Sequence, residues 1–194
     1  PMFWGQLGEL VQQSCSAPLL HCAPPMWQHQ EEMHIAASSV MRLELPRGYV
    51  ICATGGGKTR VEYQLLHDGF FEHGCTLQAL IAPTIALLCQ HHEKFADWGM
   101  FAQDGVAVVH FRTGADARDN AEESLKTLDY IQTTNEDEFL DALRQYEGKN
   151  VQIFVTYASE QKLFDVCRKH GIELGTCVWD EFHHAVRQDN NYRE

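Results

Sequence analysis

Residues 53–60, "ATGGGKTR", place three consecutive glycines directly before a lysine and a threonine. The apolar run "GYVICA" at 48–53 precedes them, and a segment with helical composition follows over residues 58–67. Glycine loses more backbone freedom on folding than any other residue, so three in a row need a specific use. A strand, a glycine turn and a helix N-terminus together cradle nucleotide phosphates, because backbone N–H groups can approach the oxygens closely.

The side chains that follow the glycines suit the same use. Lys58 would supply a positive charge to the β- and γ-phosphates, and the Thr59 hydroxyl would ligate Mg²⁺. The residues expected to bind ATP through this loop are Thr54, Gly55, Gly56, Gly57, Lys58, Thr59 and Arg60. The strict pattern G-x-x-x-x-G-K-[ST] requires glycine at position 52, where Cys52 stands, so it is met only from Gly57 onward. The alternative is a glycine-rich turn that happens to precede Lys-Thr.

A pair of acidic residues offers the metal partner that a phosphate loop needs. Asp180 and Glu181 directly follow the apolar run "GTCVW" at 175–179. Asp180 would hold Mg²⁺, through water, and Glu181 would accept a proton from the water that attacks the γ-phosphate. Lys58, Asp180 and Glu181 are therefore the predicted catalytic residues. Adjacent carboxylates at a strand end can also be plain surface acids, which is the alternative.

The order of apolar and helical segments predicts the fold class. Short continuous apolar runs alternate with helical segments, which is typical of a parallel sheet covered by helices on both faces. The predicted strands are 48–53, 77–82, 105–111, 151–155 and 175–179. The predicted helices are 28–43, 58–67, 83–98 and 159–171, with another over 133–146 that has Thr134 and Asn135 as capping residues.

Composition limits the function and the compartment. The 15 Lys and Arg against 27 Asp and Glu give a net charge of −12, which argues against tight nonspecific nucleic-acid binding by this piece alone. Seven cysteines without a Cys-x-x-Cys pair indicate reduced thiols and no zinc site. The doublets His91-His92 and His183-His184 are not expected to ligate a metal by themselves, since neighbouring side chains diverge. With no basic leader and no long apolar run, we expect an intracellular protein, in cytoplasm or nucleus, neither secreted nor in a membrane.

Three motifs in this order and spacing resemble the first motor lobe of superfamily 2 helicases. They are "ATGGGKT", "APTIALLCQ" and "DEFHH", and the nearest group is the DEAH-like one that contains restriction-enzyme motor subunits. The resemblance covers residues 25–194, with 1–24 as an extension of unknown role. It implies a RecA-like three-layer sandwich with a mostly parallel central sheet, ATP hydrolysis with Mg²⁺, and movement on nucleic acid, DNA rather than RNA.

The resemblance also assigns roles to single residues. "MWQHQEEM" is similar to the family's "LRPHQxEA", which makes Gln30 the expected adenine contact, although Gln28 stands where an arginine is usual. Pro83, Thr84 and Thr156 are the expected contacts to a nucleic-acid backbone. His183 would couple the nucleotide to the nucleic acid, and Phe182 replaces the usual small residue of the DEAH motif.

The resemblance further implies parts that follow Glu194 in the family. A "SAT"-type motif and a second RecA-like lobe with an arginine finger are expected there, and Arg60 is no substitute for that finger. The 194-residue chain alone is therefore expected to hydrolyse ATP poorly. Two other functions stay open: a non-motor nucleotide-binding switch or scaffold, and a small-substrate P-loop kinase, which would have no use for an Asp-Glu-x-His cluster.

Overall fold

The computed structural model describes residues 23–41, 48, 50–53, 55–101, 105–113 and 129–182. Within these ranges, the five predicted helices and four of the five predicted strands are present in the predicted order. The elements are α1 Gln28–Met41, α2 Lys58–Phe71, β1 Leu77–Ala82, α3 Ile85–Asp97, β2 Val106–Phe111, β3 Ile131–Thr133, α4 Glu136–Gln145, β4 Asn150–Thr156, α5 Tyr157–His170 and β5 Thr176–Trp179.

The five strands form one sheet in the order β3-β2-β4-β1-β5, and every pairing is parallel. All six residues of β1 are buried, as are six of the seven in β4. Such strands carry apolar side chains on both faces because helices cover both faces. The predicted parallel α/β fold is confirmed.

Each face of the sheet has its own core, because successive side chains of a strand point to opposite faces. On one face Ile153 packs with Phe139 of α4 and Leu163 of α5. On the other face Phe154 packs with Leu66 of α2 and Phe95 of α3. The sheet is therefore the middle layer of three, with α2 and α3 on one side and α4 and α5 on the other.

The run at 48–53 does not form the predicted buried strand in its described residues. Gly48 and residues 50–53 are irregular, and Val50 and Ile51 are 42% and 95% exposed. A strand exists only where a neighbouring backbone supplies hydrogen bonds, and no described strand pairs with this run. Apolar composition alone was therefore an insufficient basis for that prediction.

Two local features complete the comparison with the sequence. Asn135 caps α4 as predicted, since its side-chain oxygen accepts hydrogen bonds from the backbone N–H groups of Asp137 and Glu138 at 2.8 and 3.2 Å. The short strand β3 was not predicted.

Thr54 and His183 lie outside the described residues, as do residues 1–22 of the predicted extension. Among the described helices, none has the length and apolar character that crossing a membrane requires.

Candidate nucleotide site

The glycine loop has a backbone that other residues would strain. Gly55 and Gly57 have φ angles of 82° and 77°, in the left-handed region that favours glycine. A Cβ on Gly56 would overlap the Sγ atom of Cys52, and one on Gly57 would overlap the amide nitrogen of Gln30. The Gly56 N–H donates to the carbonyl of Ala53 at 3.0 Å, which closes the turn. At each of the three positions, glycine is therefore favoured either by the φ angle or by the lack of space for a Cβ.

Helix α1 holds this loop from one side through its first turn. Gln30 is buried, and its amide nitrogen donates to the carbonyls of Gly56 and Gly57 at 3.2 and 3.4 Å. Its amide oxygen accepts from the Trp27 N–H at 2.9 Å, and His29 Nε2 donates to Gly56 at 3.0 Å. The Gln30 amide thus contacts the protein's own backbone, and its contact with adenine stays a prediction.

Lys58 and Glu181 are brought together from the two motifs. The Lys58 ammonium donates to Glu181 Oε1 at 2.8 Å, and both side chains are partly exposed. This hydrogen bond raises the pKa of Lys58 above its ordinary value, against a smaller opposing effect of burial. Glu181 has a φ of 53°, in the left-handed region that is costly for a residue with a Cβ. The Glu181 carboxylate thus contacts the lysine that follows the glycine loop, and it does so from a strained backbone conformation.

Thr59 and Arg60 follow Lys58 in the first turn of α2. Thr59 is half-buried beside Lys58. Arg60 donates from Nε to the carbonyl of Pro24 at 2.7 Å and from Nη1 to Gln64 Oε1 at 3.0 Å. Its guanidinium is therefore held by protein groups at the start of α2, and its ATP contact stays a prediction.

Asp180 is held firmly at the end of β5. Its backbone N–H donates to the carbonyl of Ile81 at 2.9 Å, and its own carbonyl accepts from the Tyr157 hydroxyl at 2.5 Å. The residue is buried, and burial, together with the nearby Glu62 carboxylate, raises the pKa of Asp180 to about 6. A buried carboxylate of this kind gains from a cation placed against it.

Two ionisable neighbours of Asp180 were not among the predicted site residues. His91 of α3 donates from Nε2 to Glu62 Oε2 at 2.9 Å, and that nitrogen lies 3.5 Å from Asp180 Oδ2. Its Nδ1 donates to the carbonyl of Leu87 at 2.7 Å. Burial alone would lower the pKa of His91, but the hydrogen bond to Glu62 raises it above its ordinary value. Within the described residues, Glu62, His91 and Asp180 place potential metal-ligand atoms within 4.8 Å of one another.

A sequence signal for this cluster existed but was weak. Glu62 follows Lys58 by four residues and so shares its face of α2, and a buried His needs a polar partner. The two side chains of the doublet have different partners. His92 lies against His110 in the core, at 2.9 Å between ring nitrogens.

The predicted nucleic-acid contacts lie at the same edge of the sheet. Ala82 at the end of β1 is aligned with Thr156 at the end of β4, so Pro83 and Thr84 are neighbours of Thr156. Thr84 is exposed and caps α3 by accepting from the Leu87 N–H at 3.2 Å. Thr156 is buried and donates to the Ser159 hydroxyl at 3.2 Å, which leaves its side chain less available than that of Thr84.

A parallel sheet with a glycine loop, a lysine and an Asp-Glu pair at its carboxyl edge defines a class, the helicase-like ATP-binding lobe with a RecA-like fold. The chain belongs to the family described as "Type III restriction enzyme, res subunit", whose profile matches residues 24–194. The predicted family resemblance is thereby confirmed.

One solved structure and one negative result complete the comparisons. The structure of a nuclease-deletion mutant of the Type ISP restriction-modification enzyme LlaGI, in complex with a DNA substrate mimic, is similar with a TM-score of 0.67 and 20% identity. The similarity covers 82% of this chain and 15% of that one, and at this identity it bears on the fold alone. A search of curated proteins gave no match.

Proposed function

We propose that this chain is the ATP-binding lobe of an ATP-dependent nucleic-acid helicase or translocase, with DNA as the favoured track. The observation that carries the proposal is the Lys58–Glu181 contact of 2.8 Å. It joins a phosphate-loop lysine to the acid of a second motif 123 residues away. A glycine turn without a nucleotide role would give no reason for that pairing.

The donor set fits ATP and Mg²⁺. The glycine loop can offer backbone N–H groups, and Lys58 offers an ammonium that now pairs with a carboxylate, the charge type of a phosphate. Thr59 and Asp180 would hold Mg²⁺, which when bound neutralises charge on the phosphates. Displacing Glu181 from Lys58 would release that carboxylate beside the γ-phosphate, where it can accept a proton from water.

A nucleic acid and a second lobe are the proposed partners. The net charge of −12 gives this lobe no long-range attraction for a polyanion, so contacts at Pro83 and Thr84 would rely on local N–H and hydroxyl donors. A second RecA-like lobe would supply another part of the track and the arginine finger, a group worth about 10³–10⁵ in rate in related enzymes. The alternative function is a non-motor nucleotide-binding switch, and the experiment below distinguishes it from the motor lobe.

The test combines ATP binding with hydrolysis. Lys58→Ala should weaken ATP binding by the 194-residue chain by about 10- to 100-fold, because a charged hydrogen-bond donor is lost. Glu181→Gln should leave binding intact and lower DNA-stimulated hydrolysis by the full-length protein about 10²- to 10⁴-fold. Unchanged hydrolysis in Glu181→Gln would refute the catalytic role. ATP binding without any DNA-stimulated hydrolysis would favour the switch.

A matched control exists on the far side of the fold. Lys169 donates to Glu136 Oε1 at 2.7 Å, an exposed lysine–glutamate pair of the same chemistry between α5 and α4. Lys169→Ala and Glu136→Gln remove the same groups as the two site variants. Both should leave ATP binding and hydrolysis at the wild-type level.

A further inference from the structure

Asp180 belongs to a buried cluster whose other two members, Glu62 and His91, have no role in the proposal above. Glu62 belongs to α2, His91 to α3 and Asp180 to the end of β5, so three separate elements converge on one point. The Nε2 atom of His91 lies near both carboxylates of this cluster, 2.9 Å from Glu62 Oε2 and 3.5 Å from Asp180 Oδ2. Since its Nδ1 is held by the carbonyl of Leu87, its Nε2 is fixed towards Glu62 and Asp180.

We propose that His91, supported by Glu62, is a positioning residue that orients the Asp180 carboxylate for Mg²⁺; this rests on the proposed ATP and Mg²⁺ site. The backbone of Asp180 is fixed by Ile81 and Tyr157, but these two contacts do not restrain rotation of its carboxylate. The Nε2 atom of His91, 3.5 Å from Oδ2, limits that rotation. Without it, two buried carboxylates would face each other, and repulsion would turn Asp180 away from its metal-binding orientation.

The same contact ties the metal position to the nucleic-acid edge. His91 lies seven residues after Thr84 on α3, about two turns and 10 Å along a rigid helix. Thr84 caps that helix and is exposed where a backbone contact is predicted. A displacement of α3 therefore moves the group that orients Asp180. His91 would in this way couple a nucleic-acid contact at Thr84 to the Mg²⁺ position at Asp180.

The test measures the Mg²⁺ requirement of ATP binding in the 194-residue chain. Ligand-orienting groups typically contribute 10- to 100-fold to metal affinity, so His91→Leu should raise the half-saturating Mg²⁺ concentration by about that factor. ATP binding in EDTA should stay at the wild-type level, since Lys58 and the glycine loop are untouched. A general loss of structure would instead weaken binding under both conditions.

Conservative variants sharpen the result. In His91→Gln the amide nitrogen can take the place of Nε2, so the Mg²⁺ requirement should return towards the wild-type value. In His91→Asn the amide reaches only the Nδ1 position, and no recovery is expected. Recovery by asparagine and not by glutamine would overturn the proposal, because the contact to Leu87 would then be the important one.

His34→Leu is the matched control. His34 Nε2 contacts Asp68 Oδ2 at 2.7 Å, another histidine–carboxylate pair between two helices. This variant should leave the Mg²⁺ requirement unchanged.

If His91→Leu fails to fold, Glu62→Gln replaces it, and a smaller rise in the half-saturating Mg²⁺ concentration is expected. An unchanged Mg²⁺ requirement in a folded His91→Leu chain overturns the positioning role alone. Absence of Mg²⁺-dependent ATP binding in the wild type, with Lys58→Ala indistinguishable from it, overturns the proposed function as well.

Discussion

The buried histidines on the α3 side of the sheet should make the fold sensitive to mild acid. Arg112 Nε donates to His110 Nδ1 at 3.3 Å, which leaves the proton of a neutral His110 on Nε2. That nitrogen donates to His92 Nδ1 at 2.9 Å. His92 and His110 are 1% and 0% exposed, and His92 also stacks on Phe154. A proton added to His92 Nδ1 breaks the chain of donors in a buried site.

Burial lowers the pKa of His92 from 6.5 to about 4, and the pKa of His110 lies well below its ordinary value for the same reason. Because the unfolded chain binds the proton first, this contribution to stability is fully present above pH 6.5 and is lost as the pH falls towards 4. At pH 5 the His92 effect amounts to about 2 kcal/mol, and His110 adds to it. The raised pKa of Asp180 acts in the opposite direction.

A pairwise comparison isolates the His92 effect. His92→Asn places an uncharged amide near the Nδ1 position, where it can still accept from His110. Urea unfolding at pH 7.5 and pH 5, followed by tryptophan fluorescence, gives the free energy of unfolding of both proteins. Between pH 7.5 and pH 5 the free energy of unfolding of the wild type should fall by about 2 kcal/mol more than that of the variant. The exposed His73→Asn is the control and should track the wild type. Equal losses in wild type and His92→Asn would refute the reasoning.

Two further predictions concern the loop and a helix cap. In Gly57→Ala the new residue would have to adopt a left-handed φ of 77°, and its Cβ would overlap the Gln30 amide. The variant should therefore lower the free energy of unfolding by about 1–3 kcal/mol and weaken ATP binding. Unfolding and binding curves equal to those of the wild type would contradict this. Asn135→Ala removes the acceptor for two N–H groups and should cost about 1 kcal/mol in urea unfolding, without any effect on ATP binding. A loss of ATP binding in that variant would mean that α4 communicates with the site.

The parts predicted from sequence are those that local rules control. Residues 77–82 and 151–155 are continuous apolar runs, and the structure makes them neighbouring central strands. The Lys58 and Asp180 motifs are short and carry their chemistry in consecutive residues. The strand β3 escaped prediction because it has only three residues, two of them polar. It forms by pairing with the edge of β2, and the composition of residues 131–133 does not predict that pairing.

The parts that failed depend on distant residues. The run at 48–53 is as apolar as β1, yet it has no paired neighbour among the described residues, and Ile51 is almost fully exposed. His91 and Glu62 are 29 residues apart and meet only because α2 and α3 pack side by side on one face of the sheet. No local pattern distinguishes His91 from His92. The packing places one beside Asp180 and the other against His110 in the core.

The strand order explains why residues so far apart in sequence converge at one edge. In a parallel sheet all carboxyl ends lie on the same side, and the order β4-β1-β5 makes three of those ends adjacent. Thr156 is the last residue of β4, and Pro83 and Asp180 directly follow β1 and β5. The register aligns Ile81 with both Val155 and Trp179. Since β1 is the middle strand of the three, its end is next to both others. The helix that leaves β1 is α3, so the element that starts at the predicted nucleic-acid contact is also the one that reaches Asp180 through His91.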